Sequence, residues 1–270
     1  MKADVDAIVL SNTRLSPLYN VLALEAPGIA REVEPGQFVM LKTSAWDVPL
    51  LRRPYSVFEI VHDEAGRPLG VSVLSKRVGV GSQQVYEAAP GQHLACLGPL
   101  GRPFTAVDAP SAAWMIAGGV GLAPFATLAA ALRRRGVAPT LFYGARTGAE
   151  LFCLDLFTRL GVRLELATED GSRGERGPVT VPLERALATT PADAPVMVYA
   201  CGPEAMLKAV ALLARRHARP SQLAMERLMG CGLGGCYSCV VKVRGEDGGT
   251  HYGRACLDGP VFRGDEIVWD

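Results

Sequence analysis

Four cysteines near the end of the chain have types and spacing that can hold an iron–sulfur cluster. They are Cys231, Cys236, Cys239 and Cys256, and the first three lie in Cys231-Gly232-Leu233-Gly234-Gly235-Cys236-Tyr237-Ser238-Cys239. The run is C-x4-C-x2-C, and sixteen residues separate Cys239 from the fourth cysteine. That spacing suits the ligands of a [2Fe–2S] centre. A two-iron cluster needs thiolates converging from one side and backbone N–H groups turned inward against its negative charge. Gly232, Gly234 and Gly235 let the loop turn through positive φ and place no Cβ against the sulfides. Such clusters move single electrons. Structural zinc is the competing reading, but zinc sites favour paired short C-x2-4-C knuckles, whereas here one pair is C-x2-C, the other two ligands are spread and the loop is glycine-rich. A disulfide pair is the third reading.

Two glycine turns come next. Gly118-Gly119-Val120-Gly121-Leu122-Ala123-Pro124 follows an apolar strand pattern and opens a helical one. Glycines there let a phosphate approach the backbone, and a helix N-terminus supplies partial positive charge. The run departs from G-x-G-x-x-G because Pro124 takes the last place, where it suits a first helical turn. Alone, such a turn is equally a structural device. Tyr199-Ala200-Cys201-Gly202-Pro203-Glu204 repeats the design. Both turns fall at carboxyl ends of strands, so Gly118, Gly119, Gly121, Cys201 and Gly202 are expected along one dinucleotide. Cys201 either touches the nicotinamide or is a small buried residue.

Arg53-Pro54-Tyr55-Ser56 offers a bidentate grip on phosphate, an aromatic face and a hydroxyl. Arginines before a proline also suit a solvated loop. Val78-Gly79-Val80-Gly81-Ser82 is a further glycine loop whose N–H groups could receive a pyrophosphate.

The elements that position these residues change character along the chain. Up to residue 103, short runs rich in Val, Leu and aromatics are punctuated by Pro35-Gly36, Pro90-Gly91 and Gly98-Pro99. The strands are Val5–Leu10, Val21–Leu24, Gln37–Leu41, Tyr55–Val61, Val71–Ser75 and Leu94–Leu97, the pattern of an antiparallel barrel. Buried-type strands then follow at Ala113–Ala117, Pro139–Tyr143, Arg163–Thr168 and Val196–Ala200. They alternate with helical stretches at Pro124–Arg135, Ala149–Leu160, Val181–Ala188 and Glu204–His217, which predicts a doubly wound parallel sheet. From Gln222 the chain carries the cysteine loop and a short strand, Val240–Val243. The expected fold class is multidomain β and α/β, divided at 1–103, 104–221 and 222–270.

Composition excludes several classes. With 28 basic and 27 acidic residues the net charge is +1, and no basic block argues for nucleic acid. The apolar fraction of 49% suffices for real cores. The start, Met1-Lys2-Ala3-Asp4-Val5-Asp6, lacks a signal-peptide pattern, and no apolar run is long enough to predict a membrane span. Seven cysteines, with four clustered as ligands, fit a reducing cytoplasm. Cys96 and Cys153 read as core, as do Phe104 and Phe125. His62, His93, His217 and His251 show no metal spacing.

In this order the pieces resemble the ferredoxin–NADP reductase superfamily, and within it the electron-transfer subunits of class 1B dihydroorotate dehydrogenase. The resemblance covers nearly the whole chain. Its most specific parts are Glu226-Arg227-Leu228-Met229-Gly230-Cys231-Gly232 and Ala255-Cys256-Leu257-Asp258-Gly259-Pro260-Val261-Phe262. By position it implies that Arg53, Pro54, Tyr55 and Ser56 match the family's FAD-binding R-P-x-S, with Tyr55 replacing a more usual aliphatic residue. Leu74, Ser75 and Lys76 match the strand beside the flavin. Gly81 and Ser82 match a Gly-Thr pair at the FAD pyrophosphate, with the hydroxyl kept. All four cysteines match cluster ligands.

The resemblance further implies electron relay among NAD(H), FAD and a [2Fe–2S] cluster. It implies an FMN-containing catalytic dehydrogenase partner in pyrimidine biosynthesis, in a heterotetramer of two plus two. NADH is expected over NADPH, with Arg146 and Arg173 keeping a 2′-phosphate site open. The alternative is a reductase component serving another dehydrogenase, hydrogenase or ferredoxin. Related transhydrogenase-type subunits carry Asp where this chain has Cys231.

Overall fold

A computed structural model describes residues 2–43, 48–245 and 247–269 of the chain. Six antiparallel strands come first: β1 (Ala3–Arg14), β2 (Tyr19–Glu25), β3 (Phe38–Lys42), β4 (Arg53–His62), β5 (Pro68–Lys76) and β6 (His93–Leu100). They close into a barrel in the order β1-β2-β5-β4-β3-β6, which leaves no open edge. Alternate side chains, among them Val9, Leu22, Leu24, Val39, Leu41, Val71, Val73 and Cys96, fill the interior. The short helix α1 (Pro27–Ala30) follows β2, and α2 (Val80–Glu87) follows β5.

The glycine loop expected at 78–82 is the start of α2. Ser82 explains why: its hydroxyl accepts from Val78 N (2.8 Å) and Gly79 N (3.0 Å) and donates to Gly79 O (2.9 Å), closing the first turn. The other end is held by Asn12, whose Nδ2 donates to the carbonyls of Val85, Tyr86 and Ala88. Those carbonyls would otherwise lack partners. Asn20 Nδ2 in turn donates to Asn12 Oδ1 at 2.7 Å. Strands β1 and β2 thus set the angle of α2.

The second part runs β7 (Ala112–Gly118), α3 (Pro124–Arg134), β8 (Thr140–Ala145), α4 (Leu154–Arg159), β9 (Arg163–Thr168), β10 (Glu175–Arg176), α5 (Thr180–Thr189), β11 (Val196–Cys201), α6 (Glu204–Arg216) and β12 (Ser221–Ala224). The remainder holds β13 (Val240–Arg244), β14 (Thr250–Arg254) and β15 (Val261–Arg263). The large sheet has the order β10-β9-β8-β7-β11-β12-β15, parallel except for β15. Strand order runs outward in both directions from β7, so the switch point lies between β7 and β11. Residue 222 falls inside β12, and β15 returns beside it, so the cysteine-bearing segment shares this sheet.

One helix differs from expectation. The pattern predicts a continuous helix over Ala149–Leu160, but α4 starts only at Leu154. Leu151 is buried, and the Phe152 ring lies 4.7 Å from Tyr19 of the barrel. Cys153 then turns through φ 57. Contact with the barrel outweighs the helical pattern over these residues.

Candidate functional site

Arg53 opens β4 and lies against the first turn of α2. A Cβ on Gly81 would sit 3.2 Å from Arg53 Cγ. The Arg53 guanidinium donates to Leu51 O at 3.0 Å, and Lys42 Nζ ties down the same loop through Pro49 O and Leu50 O. A guanidinium and the N–H groups of a helix start therefore share one edge of the barrel, an arrangement suited to phosphate. Ser82 lies there too, but its hydroxyl is engaged in capping. Tyr55, two residues on, is held protonated: burial pushes its hydroxyl up to about 12, opposed by the neighbouring Ser75 hydroxyl and the Arg53 charge.

Ser75 Oγ is buried and has no hydrogen bond of good geometry. Its register partner across β2 is Asn20, whose Oδ1 is also without one. Both atoms are enclosed by protein, and Ser75 lies against the Tyr55 hydroxyl. Leu74 packs with Phe58 into the core shared with the second part. Lys76 Nζ lies 5.2 Å from the Tyr19 ring centre. Pro54 and Ser56 pair with Met40 and Phe38 of β3, so these four share one face of the barrel. The residues present fit FAD.

At the switch point the two glycine turns touch. Cβ atoms on Gly118, Gly121 and Gly202 would meet Met206 Sδ at 2.8 Å, Cys201 O at 2.1 Å and Met206 Cε at 2.6 Å, respectively. Gly119, at φ 55, has no atom within 4 Å of its Cβ position and presents open backbone. Gly118, Gly121, Cys201 and Gly202 thus pack together at the carboxyl ends of β7 and β11, and Gly119 presents the open backbone there that suits a dinucleotide. Burial pushes the Cys201 thiol up to about 12, so it is neutral. Phe104 and Phe125 stack at 5.9 Å in the core, as expected of them. Gly121→Ala forces overlap with backbone and is expected to cost about 1–3 kcal/mol of stability together with NADH affinity. Thermal melting and NADH titration check this, and an unchanged melting point and affinity would refute it.

The cysteines meet in two pairs. Cys239 Sγ and Cys256 Sγ are 3.3 Å apart and buried, and Cys236, beside Cys231, is exposed. Among the described residues no group of three or more His, Cys, Asp or Glu is set to hold a metal ion. Two thiol pairs suit two bridged irons better than one tetrahedral zinc. Leu233 N donates to Cys231 Sγ at 3.3 Å, the inward N–H that a charged cluster requires.

Side chains that no motif singles out hold this loop. Ser238 Oγ accepts from Gly230 N at 2.9 Å and contacts Cys236 Sγ at 3.2 Å. Arg254 donates to Gly234 O at 3.2 Å, lies over the Tyr237 ring at 5.1 Å and pairs with Asp258. Gly232, at φ 70, rests on the barrel, where its Cβ would be 2.7 Å from Met40 Cγ. On the outer side, Leu228 is 88% exposed, Tyr237 60% and Leu233 50%.

Residues 226–268 match the model described as the iron–sulfur cluster binding domain of dihydroorotate dehydrogenase B, and 115–211 match an oxidoreductase NAD-binding domain. The chain is 35% identical over 271 residues to the dihydroorotate dehydrogenase B (NAD(+)) electron transfer subunit of Desulforamulus reducens, covering 98% of each. The chain belongs to this family. The corresponding subunit of Geobacillus kaustophilus is 39% identical over 238 residues, 87% of each chain. Among solved structures, an NADH-dependent reduced ferredoxin-NADP oxidoreductase, studied for flavin-based electron bifurcation, superposes with a TM-score of 0.84 at 27% identity. That match covers 100% of this chain and 92% of the other. The NAD-binding model falls on the switch-point sheet and the iron–sulfur model on the segment that carries the cysteine loop.

Proposed function

We propose that the chain relays electrons between NAD(H), FAD and a [2Fe–2S] cluster, and exchanges them with an FMN-containing dihydroorotate dehydrogenase catalytic subunit in pyrimidine biosynthesis. The observation that carries this reading is that the cysteine loop rests on β3, the strand paired with Arg53-Pro54-Tyr55-Ser56. When bound, the flavin accepts hydride and the cluster carries single electrons, while the protein supplies binding, orientation and access. Arg53 and the start of α2 hold phosphate; Tyr55, Ser56, Leu74, Ser75 and Lys76 line the ring; Gly118, Gly119, Gly121, Cys201 and Gly202 receive the dinucleotide. Cys231, Cys236, Cys239 and Cys256 ligate iron. The working units are 1–103, 104–221 and 222–270.

NADH is the expected reductant, mainly from the family, whose members are named for NAD(+); of the two arginines that would suit a 2′-phosphate, Arg146 is paired with Glu150 at 2.8 Å. Stopped-flow reduction by each cofactor checks this, and faster, tighter reduction by NADPH would reverse it. Among the described residues no helix is long and apolar enough to cross a membrane. A cytoplasmic location is part of the proposal.

An electron leaves a cluster through the surface nearest to it, and Leu228, Leu233 and Tyr237 make that surface apolar. We assign it to the catalytic subunit, in an assembly of two plus two. Leu233→Asp with Tyr237→Asp would bury unpaired carboxylates there, at a cost of about 3 kcal/mol or roughly a hundredfold in association. Co-purification of the two subunits measures this, with NADH-dependent dye reduction retained. Undiminished assembly of the double variant would overturn the assignment.

A further inference from the structure

Strand β3 reads Phe38-Val39-Met40-Leu41, four apolar residues in succession. Val39 and Leu41 fill the barrel. Phe38 and Met40 point the other way, into a core that also holds Leu100, Met229, Cys239 and Cys256. Met40 is fully buried. On one side its side chain touches Gly232, the residue after Cys231, so closely that a Cβ there would overlap Met40 Cγ at 2.7 Å and Sδ at 3.2 Å. On the other side it pairs across the sheet with Pro54, and cross-strand partners lie about 5 Å apart on one face. One side chain therefore spans from a cluster-ligand loop to the flavin-motif strand.

We infer that Met40 is the spacer that sets the packing and separation between the cluster loop and the flavin strand, and that electrons pass between the two cofactors across this contact. The inference rests on the electron-relay reading. With both cofactors bound, hydride from NADH would bring two electrons to the flavin; one would reduce a single ferric iron of the cluster, the second would follow once the cluster has passed the first to the partner subunit, and the proton would go to solvent. A void in this position removes atoms from the gap, because interiors do not fully collapse into the space left by a truncated side chain. Met40 is a positioning residue and touches the loop, not iron.

The test compares Met40→Ala with Met40→Leu, a volume-conserving exchange, in the full chain carrying its cofactors. Iron, sulfide and FAD contents are measured first. Amide hydrogen exchange over residues 230–236 is expected to quicken in Met40→Ala but not in Met40→Leu, with α2 unchanged. In stopped-flow reduction by NADH, flavin bleaching serves as the internal reference. The following cluster phase is expected to slow about tenfold in Met40→Ala, the usual size of an outer-shell effect, and little in Met40→Leu. If Met40→Ala loses its cluster, Met40→Val, which removes less volume, is judged by the same criteria. Wild-type cluster kinetics in the truncated variant, or equal slowing in Met40→Leu, would overturn the inference. A wild-type cluster that NADH never reduces would instead defeat the relay reading itself.

Discussion

Cys236→Ser is expected to abolish the iron–sulfur cluster while leaving FAD bound. Cys236 is the exposed member of its thiol pair, and the hydrogen bonds of Ser238 and Cys231 pull its thiol down to about 6. A thiolate at neutral pH is a ready metal ligand; a serine hydroxyl is not, and the remaining three cysteines leave one iron short. The flavin residues lie on the barrel and α2, so their hold on FAD does not depend on Cys236. The purified variant should lose the red-brown colour and the EPR signal of the reduced protein, with flavin absorbance retained. Full iron content in the variant would remove Cys236 from the ligand set. Simultaneous loss of flavin would show that cluster and flavin sites fold as one.

Arg53→Ala is expected to purify largely without FAD. Losing a charge-assisted contact costs about 1.5–3 kcal/mol, or roughly 10- to 150-fold in affinity. The effect should sit at the upper end, because Arg53 is packed on Gly81 and its loss also opens the start of α2. Flavin content after gel filtration and FAD titration of the apoprotein give the number, with iron content as the control. Undiminished occupancy and affinity would take Arg53 out of the site.

The four cysteines stand out in the sequence because ligand chemistry would force such a spacing and demand glycines between them. The barrel strands are visible through their apolar alternation, and the parallel sheet through the switch to helical periods. Helix α2 is hidden because Gly79 and Gly81 carry turn signals, and only the Ser82 cap makes a helix start of them. Strands β10, β12 and β15 are two to four residues long, too short for any periodicity to register. β14 is polar and exposed for most of its length, so it lacks an apolar signal. The break before α4 has its cause in Tyr19, more than a hundred residues away in sequence. Met40 does carry a signal. An unbroken apolar run such as Phe38-Val39-Met40-Leu41 marks a strand buried on both faces, and hence a second body packed against the barrel. Arg254 and Ser238 carry none, since their roles come from the fold of the loop they hold.

Two-electron exchange with NAD(H) at the flavin, coupled to single-electron exchange through the four-cysteine loop, is the core of the proposed relay. Anaerobically prepared protein, analysed for iron, sulfide, zinc and FAD and then mixed with NADH while flavin and cluster absorbances are followed separately, tests it most directly. About two irons and two labile sulfides per chain are expected together with FAD, with cluster reduction trailing flavin reduction. Stoichiometric zinc without iron, or a cluster that stays oxidised while the flavin is fully reduced, would contradict it.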